Sequence, residues 1–284
     1  MEQHRSAAAE PSCGRAVAAA ALRFERRGAV ARLTLDRPAQ GNAISPAMAR
    51  ELLEASTVCD EDDGIRCVLL TGSGRMFCVG GDVGEFSGSG DGLGALVKGS
   101  TAYLHMAIAR FARMGKPLVT AVNGPAAGAG FGLAILGDIA LAAASANLTV
   151  AYTAIGLTPD GATSWLLPRL VGLRRAQELV MSNRRVGAQE AAAMGLVTRV
   201  VEDAALGGEA DALAEQLAAA ATPALGRVRN LLLDSFTATL ETQMEAEARA
   251  IADSCRTPQG REGIAAFVAK RKPEFHPRST KEET

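Results

Sequence analysis

The sequence is short of several residues from which catalytic and binding centres are commonly built. Histidine occurs only at His4, His105 and His276, too sparsely for a histidine-built metal centre. The five cysteines, Cys13, Cys59, Cys67, Cys78 and Cys255, are scattered and form no CxxC pair. That spacing indicates neither a zinc site nor a disulfide framework, and a reducing cytoplasm is the simplest setting for it. The formal net charge is −1, so there is no electrostatic reason to expect nucleic acid or an anionic membrane as partner. No stretch is long and apolar enough to span a bilayer. No serine sits in a GxSxG elbow, and no Gly-Lys-Ser/Thr closes a phosphate loop.

What is present is an ordinary globular composition over 284 residues, 48% hydrophobic and 21% charged, long enough for one large domain with a substantial core. The Ala-rich N-terminus has only a short apolar run, AVAAAAL, preceded by Glu2, Glu10 and Pro11. It reads as a disordered extension over residues 1–20 rather than as a signal peptide. Ala29–Asp36 alternates as a strand does. Ser45 can cap a helix that Pro46 opens. CVLLTG (Cys67–Gly72) and PLVTAV read as buried strands, and SGSGDGLG (Ser87–Gly94) as a mobile loop. TAYLHMAIARFARMG is amphipathic, with Leu104, Ile108 and Phe111 on one face. Strand, turn and helix alternate to about residue 203, and helical pattern dominates over 204–284. The class is therefore α/β: a layered core over 21–203 with a helical C-terminal region.

Two turns in this core are rich in small residues. FCVGGDV contains Gly80, Gly81, Asp82 and Val83, and NGPAAGAGFGLA runs from Asn123 to Ala134. The second is not a dinucleotide fingerprint. Its third glycine falls one place early, and Asp138 lies closer than the acidic residue of that motif should. Taken alone, such a turn fits close helix–strand packing as well as ligand binding. Two of them, each following a strand, can aim two backbone N–H groups at one point, which is how an oxyanion hole for a thioester enolate is built. Backbone donors also fit the lack of Arg, Lys and His in both motifs.

With LTLDRPAQGNAIS, IGLTPDGATSWLLPRLVG, NRRVGAQEAAAMGLVTRVV and REGIAAFVAKRKPEF added to these turns, the chain resembles the crotonase superfamily, the enoyl-CoA hydratase/isomerase family, from about Leu22 to Phe275. The resemblance implies a spiral of ββα units, a C-terminal helical trimerisation region, and homotrimers or dimers of trimers. It implies an acyl-CoA thioester as substrate, with coenzyme A entering as part of it and no separate cofactor. By position, the oxyanion donors would be the N–H groups of Gly81 and Ala129. Gly80, Asp82 and Val83 would flank the thioester. Arg37 would meet the CoA moiety, as would Lys270 from a neighbouring subunit if it is not simply part of the solvated run Lys270–Lys272, and Phe86, Phe131 and Trp165 fit an acyl-pocket lining and core packing equally well.

The departures from the family pattern carry the finer expectation. Relatives that hydrate 2-enoyl-CoA place glutamates at two positions that here hold Gly132 and Tyr152. Hydration needs a base for the water and an acid for the carbon. Glycine supplies neither, and a phenol with a pKa near 10 is a poor base at neutral pH. Asp160 in TPDGA remains. Asp before Gly is ordinary turn chemistry, but isomerase-type relatives carry a proton-shuttling carboxylate in this part of the pocket. AYTAIGLTPDGATSW also resembles the 4-chlorobenzoyl-CoA dehalogenase branch. There an Asp attacks the ring, a His at the position of His105 activates water, and a Trp stands where Tyr152 is found. Enoyl-CoA isomerisation with Asp160 as acid/base leads. Attack by Asp160 with His105 as base stands second, and a weakly catalytic acyl-CoA-binding protein third.

Overall fold

A computed structural model describes residues 20–86 and 90–276. The N-terminal extension read over residues 1–20 therefore lies, Ala20 apart, outside the described residues. The chain begins with a hairpin: β1 (Leu22–Arg27) pairs antiparallel with β2 (Val30–Leu35), the turn passing through Gly28 at φ +58°. No strand is legible in LRFERR. Among the described residues β1 has β2 as its sole partner in the sheet, and its side chains are mostly exposed and charged, so it lacks the apolar alternation of a half-buried strand.

α1 (Pro46–Glu61) starts as its cap residue indicates, the Ser45 hydroxyl accepting from the N–H of Met48 at 3.1 Å. At its far end the buried Lys116 ammonium donates to the carbonyls of Cys59, Asp60 and Asp62 at 2.7, 2.9 and 2.8 Å, placing a cation where the last helical carbonyls lack partners. β3 (Cys67–Gly72) then runs parallel to β2. A short α2 (Val83–Phe86) precedes α3 (Leu93–Arg113), which packs on α1 and buries Leu104, Ile108 and Phe111.

α3 begins earlier than the sequence suggests. Of the loop read over Ser87–Gly94, residues 87–89 lie outside the description, Gly90–Gly92 form a 3-10 turn, and Leu93 already opens the helix. The run of glycines masks that start. Leu93, Ala95, Leu96 and Lys98 are good helix formers, and Gly94 and Gly99 between them are tolerated at a modest cost.

β4 (Leu118–Val122) and β6 (Ile139–Ala143) extend the parallel sheet, with the two-residue β5 (Ala126–Ala127) and α4 (Ala129–Ala134) between them. β7 (Asn147–Thr149), α5 (Thr163–Val171), α6 (Leu173–Ser182), β8 (Val186–Gly187), α7 (Ala188–Met194) and β9 (Arg199–Val201) complete the core. The larger sheet has the order β1-β2-β3-β4-β6-β9, parallel after its first pair, and the smaller one the order β5-β7-β8. This is the mixed α/β spiral that the resemblance implies.

Four helices follow: α8 (Leu206–Ala219), α9 (Thr222–Asp234), α10 (Leu240–Arg256) and α11 (Pro258–Val268). α8 lies on β2, β3, β4 and β6, so the helical region that starts near residue 204 first covers the sheet. α9 is fastened by buried Arg229. Its guanidinium donates to the carbonyls of Phe111, Met114 and Lys116 at 3.2, 2.6 and 2.6 Å, and its Nε donates to Asp138 Oδ1 at 2.6 Å. A charge at that depth is tolerated because every face of the fork has an acceptor.

Candidate active site

The two glycine turns are stitched together. The N–H groups of Phe77 and Cys78 donate to the carbonyl of Pro125 at 3.1 and 3.3 Å, and the N–H of Ala127 returns to Cys78 O at 2.9 Å. The first turn is also held from the other side. Ile44 N–H donates to Gly80 O at 2.8 Å and Asp82 N–H to Ile44 O at 3.1 Å. Buried Asn42 donates to the carbonyls of Ser73, Met76 and Phe77 at 2.9, 2.7 and 3.2 Å. Asn42 organises this side of the site, and its only sequence signal is the Gly-Asn turn of RPAQGN.

The small residues are required by this approach. A Cβ on Gly130 would stand 2.2 Å from Cys78 O, and one on Gly80 would stand 3.1 Å from Ala127 O and 3.5 Å from Ala129 N. Gly80 at φ +106° and Gly128 at φ +54° are also in conformations that favour glycine. A side chain at position 80 would thus press on the Ala127–Ala129 backbone. Among the described residues, neither the N–H of Gly81 nor that of Ala129 has an acceptor. α4, which Ala129 opens, is six residues long, so the donors themselves matter more here than a helix dipole.

The turn that carries Asp160 lies on α4. A Cβ on Gly161 would be 3.9 Å from both Cα and O of Ala129. Gly161 at φ +57° and Ala162 at φ +62° form two consecutive left-handed residues, and Ala151 at φ +64° precedes Tyr152 in the same manner. Non-glycine residues hold this conformation at a cost that the surroundings must offset. Here the result is convergence: Tyr152 OH donates to Asp160 Oδ1 at 2.5 Å, and His105 Nε2 stands 3.4 Å from Asp160 Oδ2. The Gly161 N–H donates to the same His105 nitrogen at 3.2 Å. Burial, reinforced by the negative charge of Asp160, pushes the Tyr152 phenol well above its ordinary range. It therefore stays a hydrogen-bond donor.

Tyr152 and Asp160, eight residues apart, and the distant His105, all anticipated as site residues, thus meet on a turn that packs against Ala129. The side chain of Asp160 is 26% exposed and that of His105, on α3, 48% exposed. Position 132 is closed. A Cβ there would come within 2.6 Å of Gly161 O and 3.0 Å of Thr163 Oγ1. The turn that brings Asp160 into the site fills the space that a longer residue at 132 would need.

The remaining anticipated residues fall as follows. Arg37 donates to Asp82 Oδ2 at 2.8 Å and to Ala43 O at 2.7 Å, with side chains only 19% and 15% exposed, an ion pair that braces the first turn. Val83 is exposed on α2, and Gly80 is buried between the turns. Phe131 is wholly inside the core. Trp165 is partly exposed on α5, its ring 4.0 Å from the Arg169 guanidinium. Phe86 ends α2, and the placement of its side chain lies outside the description. Lys270 is exposed beyond α11 at φ +52°. Burial pushes the Cys78 thiol up to about 12, so this cysteine, although inside the first turn, is no nucleophile.

The match to the enoyl-CoA hydratase/isomerase family model runs over residues 25–278 and so includes both glycine turns and the Tyr152–Asp160 segment. The chain belongs to this family. It is 39% identical over 247 residues to a 1,2-epoxyphenylacetyl-CoA isomerase of Escherichia coli strain K12, covering 86% of this chain and 93% of that one. It is 35% identical over 250 residues to a 4-chlorobenzoyl coenzyme A dehalogenase of an Arthrobacter species, covering 88% and 91%. The crystal structure of an enoyl-CoA hydratase from Polaromonas sp. JS666 superposes with a TM-score of 0.85 at 34% identity, covering 89% of this chain and 98% of that one. As a family member the protein is an acyl-CoA-processing enzyme of the crotonase fold. Its relatives span isomerases, dehalogenases and hydratases.

Proposed function

We propose that this family member is an acyl-CoA isomerase. The N–H groups of Gly81 and Ala129 bind the thioester oxygen and stabilise the enolate as charge moves onto it. Asp160 removes a proton from the carbon next to the thioester of a 3-enoyl-CoA. The electron pair delocalises into the dienolate, and Asp160 returns the proton two carbons further along to give the conjugated 2-enoyl-CoA. Atoms and charge balance with no water consumed. Asp82 and Val83 flank the thioester side of the first turn, with Arg37 bracing it.

The observation that carries this reading is the Asp160 carboxylate, held by Tyr152 on a turn packed against Ala129, with the N–H groups of Gly81 and Ala129 lacking an acceptor among the described residues. One carboxylate suffices to move a proton within a substrate, whereas hydration needs separate acid and base roles. The closed space at Gly132 leaves no place for the second. The likeness to a protein named as an epoxyphenylacetyl-CoA isomerase supports the same class.

A second reading, hydrolysis of a halogenated aroyl-CoA with Asp160 as nucleophile and His105 as base, is favoured by the 3.4 Å approach of His105 to Asp160 and the likeness to the Arthrobacter dehalogenase. Turnover of 3-enoyl-CoA is followed by the absorbance of the conjugated thioester, with Asp160→Asn alongside. Signal from the wild type that collapses in the variant supports isomerisation. Chloride release from 4-chlorobenzoyl-CoA without isomerisation moves the second reading ahead. Binding of both esters with neither reaction leaves a non-catalytic acyl-CoA carrier.

The assembly inferred is a homotrimer or a dimer of trimers. α10 has no buried side chain among its 17 residues, and Leu240, Met244 and Ile251 lie exposed along it, as do Phe267 and Val268 at the end of α11. An apolar surface of that extent is covered by other copies of the chain, which would bring Lys270 to a neighbour's CoA. A sedimentation mass equal to one chain would refute this.

A further inference from the structure

One nitrogen in the site is approached by two groups that cannot both bond to it as donors or both as acceptors. His105 Nε2 lies 3.2 Å from the N–H of Gly161 and 3.4 Å from Oδ2 of Asp160. A backbone N–H can only donate, so it needs the Nε2 lone pair. A bond to an ionised Asp160 would instead need a proton on Nε2. The two bonds exclude one another. The Gly161 contact is the shorter, and it is the one partner in the described structure for that N–H. The shorter contact matches an imidazole that accepts at Nε2, the tautomer with its hydrogen on Nδ1.

This has a consequence for Asp160. Its Oδ1 is occupied by the Tyr152 hydroxyl. Its Oδ2 faces a lone pair on His105 rather than a donor, and so remains the oxygen of the carboxylate without a donor among the described residues. The Gly161 N–H also belongs to the left-handed pair Gly161–Ala162, which has to be held in place for the carboxylate to stay beside Ala129.

We propose that His105 is a positioning residue: its Nε2 lone pair holds the Gly161 N–H, which fixes the Asp160 turn and leaves Oδ2 as the oxygen that moves the proton. The proposal rests on the acid/base role of Asp160 given above, and it assigns the imidazole no proton-transfer step. Glutamine reproduces what is needed. Its amide oxygen can accept from Gly161, and it can act neither as base nor as acid. Alanine removes the acceptor altogether. Since His105 is half exposed, neither change opens a core cavity.

The test pairs His105→Gln with His105→Ala and uses two readouts. The first, which needs no substrate, is hydrogen exchange at the Gly161 amide. Exchange is expected to accelerate at least tenfold in the alanine variant and to stay near the wild-type rate in the glutamine variant. Equal exchange in all three proteins overturns the proposal. The second is 3-enoyl-CoA isomerisation. His105→Ala is expected to lose ten- to hundredfold in kcat with KM little changed, and His105→Gln to retain kcat within about threefold. A glutamine variant as inactive as the alanine variant overturns the proposal in favour of proton transfer by the imidazole. Absence of isomerisation in the wild type would sink the isomerase reading itself, and the exchange result would still decide how His105 is used.

Discussion

The hydroxyl of Tyr152 and Oδ1 of Asp160 lie 2.5 Å apart, at one end of a loop whose two ends are both set by left-handed residues. A half-buried phenol held this close to a carboxylate is a charge-assisted donor. It does for the carboxylate what a backbone N–H does at a helix cap, and it leaves the second oxygen available. A glutamate at position 152 would instead place a second negative charge against Asp160.

Tyr152→Phe removes that donor while conserving volume. A hydrogen bond to a charged group contributes about 1.5–3 kcal/mol, so kcat for isomerisation is expected to fall about ten- to hundredfold with KM nearly constant. Steady-state kinetics on the purified variant check this. An unchanged kcat with a lowered melting temperature would reduce Tyr152 to a structural part.

Tyr152 also sets an alkaline limit. Burial raises its pKa in the folded protein above the ordinary phenol value of about 10. The folded state therefore holds this proton where the unfolded chain releases it. The associated stability is complete below pH 10 and declines as the pH rises past it. Of the two tyrosines in the chain, Tyr152 is expected to ionise only as the protein unfolds. Absorbance of phenolate during an alkaline titration, compared with Tyr152→Phe, measures this. Reversible ionisation of Tyr152 in the folded protein near pH 10 would contradict it.

Installing the missing hydratase residue is expected to fail. The 2.6 Å clash of a Cβ at position 132 with Gly161 O forces the Asp160 turn to move. Gly132→Ala is expected to destabilise by about 1–3 kcal/mol, as overpacking does, and to lower isomerisation. Gly132→Glu is expected to gain no hydration of 2-enoyl-CoA. A stable Gly132→Glu variant with new hydratase activity would show that the turn yields at little cost.

Arg229 is expected to matter more to stability than any surface charge. Its removal leaves Asp138 and the carbonyls of Phe111, Met114 and Lys116 without their shared donor. Arg229→Ala is expected to cost about 3–5 kcal/mol, and Arg229→Lys to recover only part of it because an ammonium cannot span the same acceptors. Denaturant unfolding of the two variants checks both values. A loss near that of an exposed pair, below about 1 kcal/mol, would refute the assignment.

Much of this protein was determined by sequence-local chemistry. β2, β3 and β4 announce themselves through apolar runs and α1 through Ser45 and Pro46. The two glycine turns and the Pro-Asp-Gly segment likewise identify the family from their residues. Such features are legible because strand pattern, cap and turn preference depend on neighbouring residues. β1 and the first turns of α3 were not legible: one is a charged edge strand, and the other is a helix that tolerates interspersed glycines. Tertiary structure alone decided how the site's residues are used. It spent Gly80 and Gly130 on the contact between the two turns and enclosed Phe131 in the core. It bound Arg37 to Asp82 and closed position 132 against Gly161. It also gave the single lone pair of His105 Nε2 to a backbone N–H. Each outcome depends on which atoms from distant segments meet at contact distance, and no spacing along the chain encodes that.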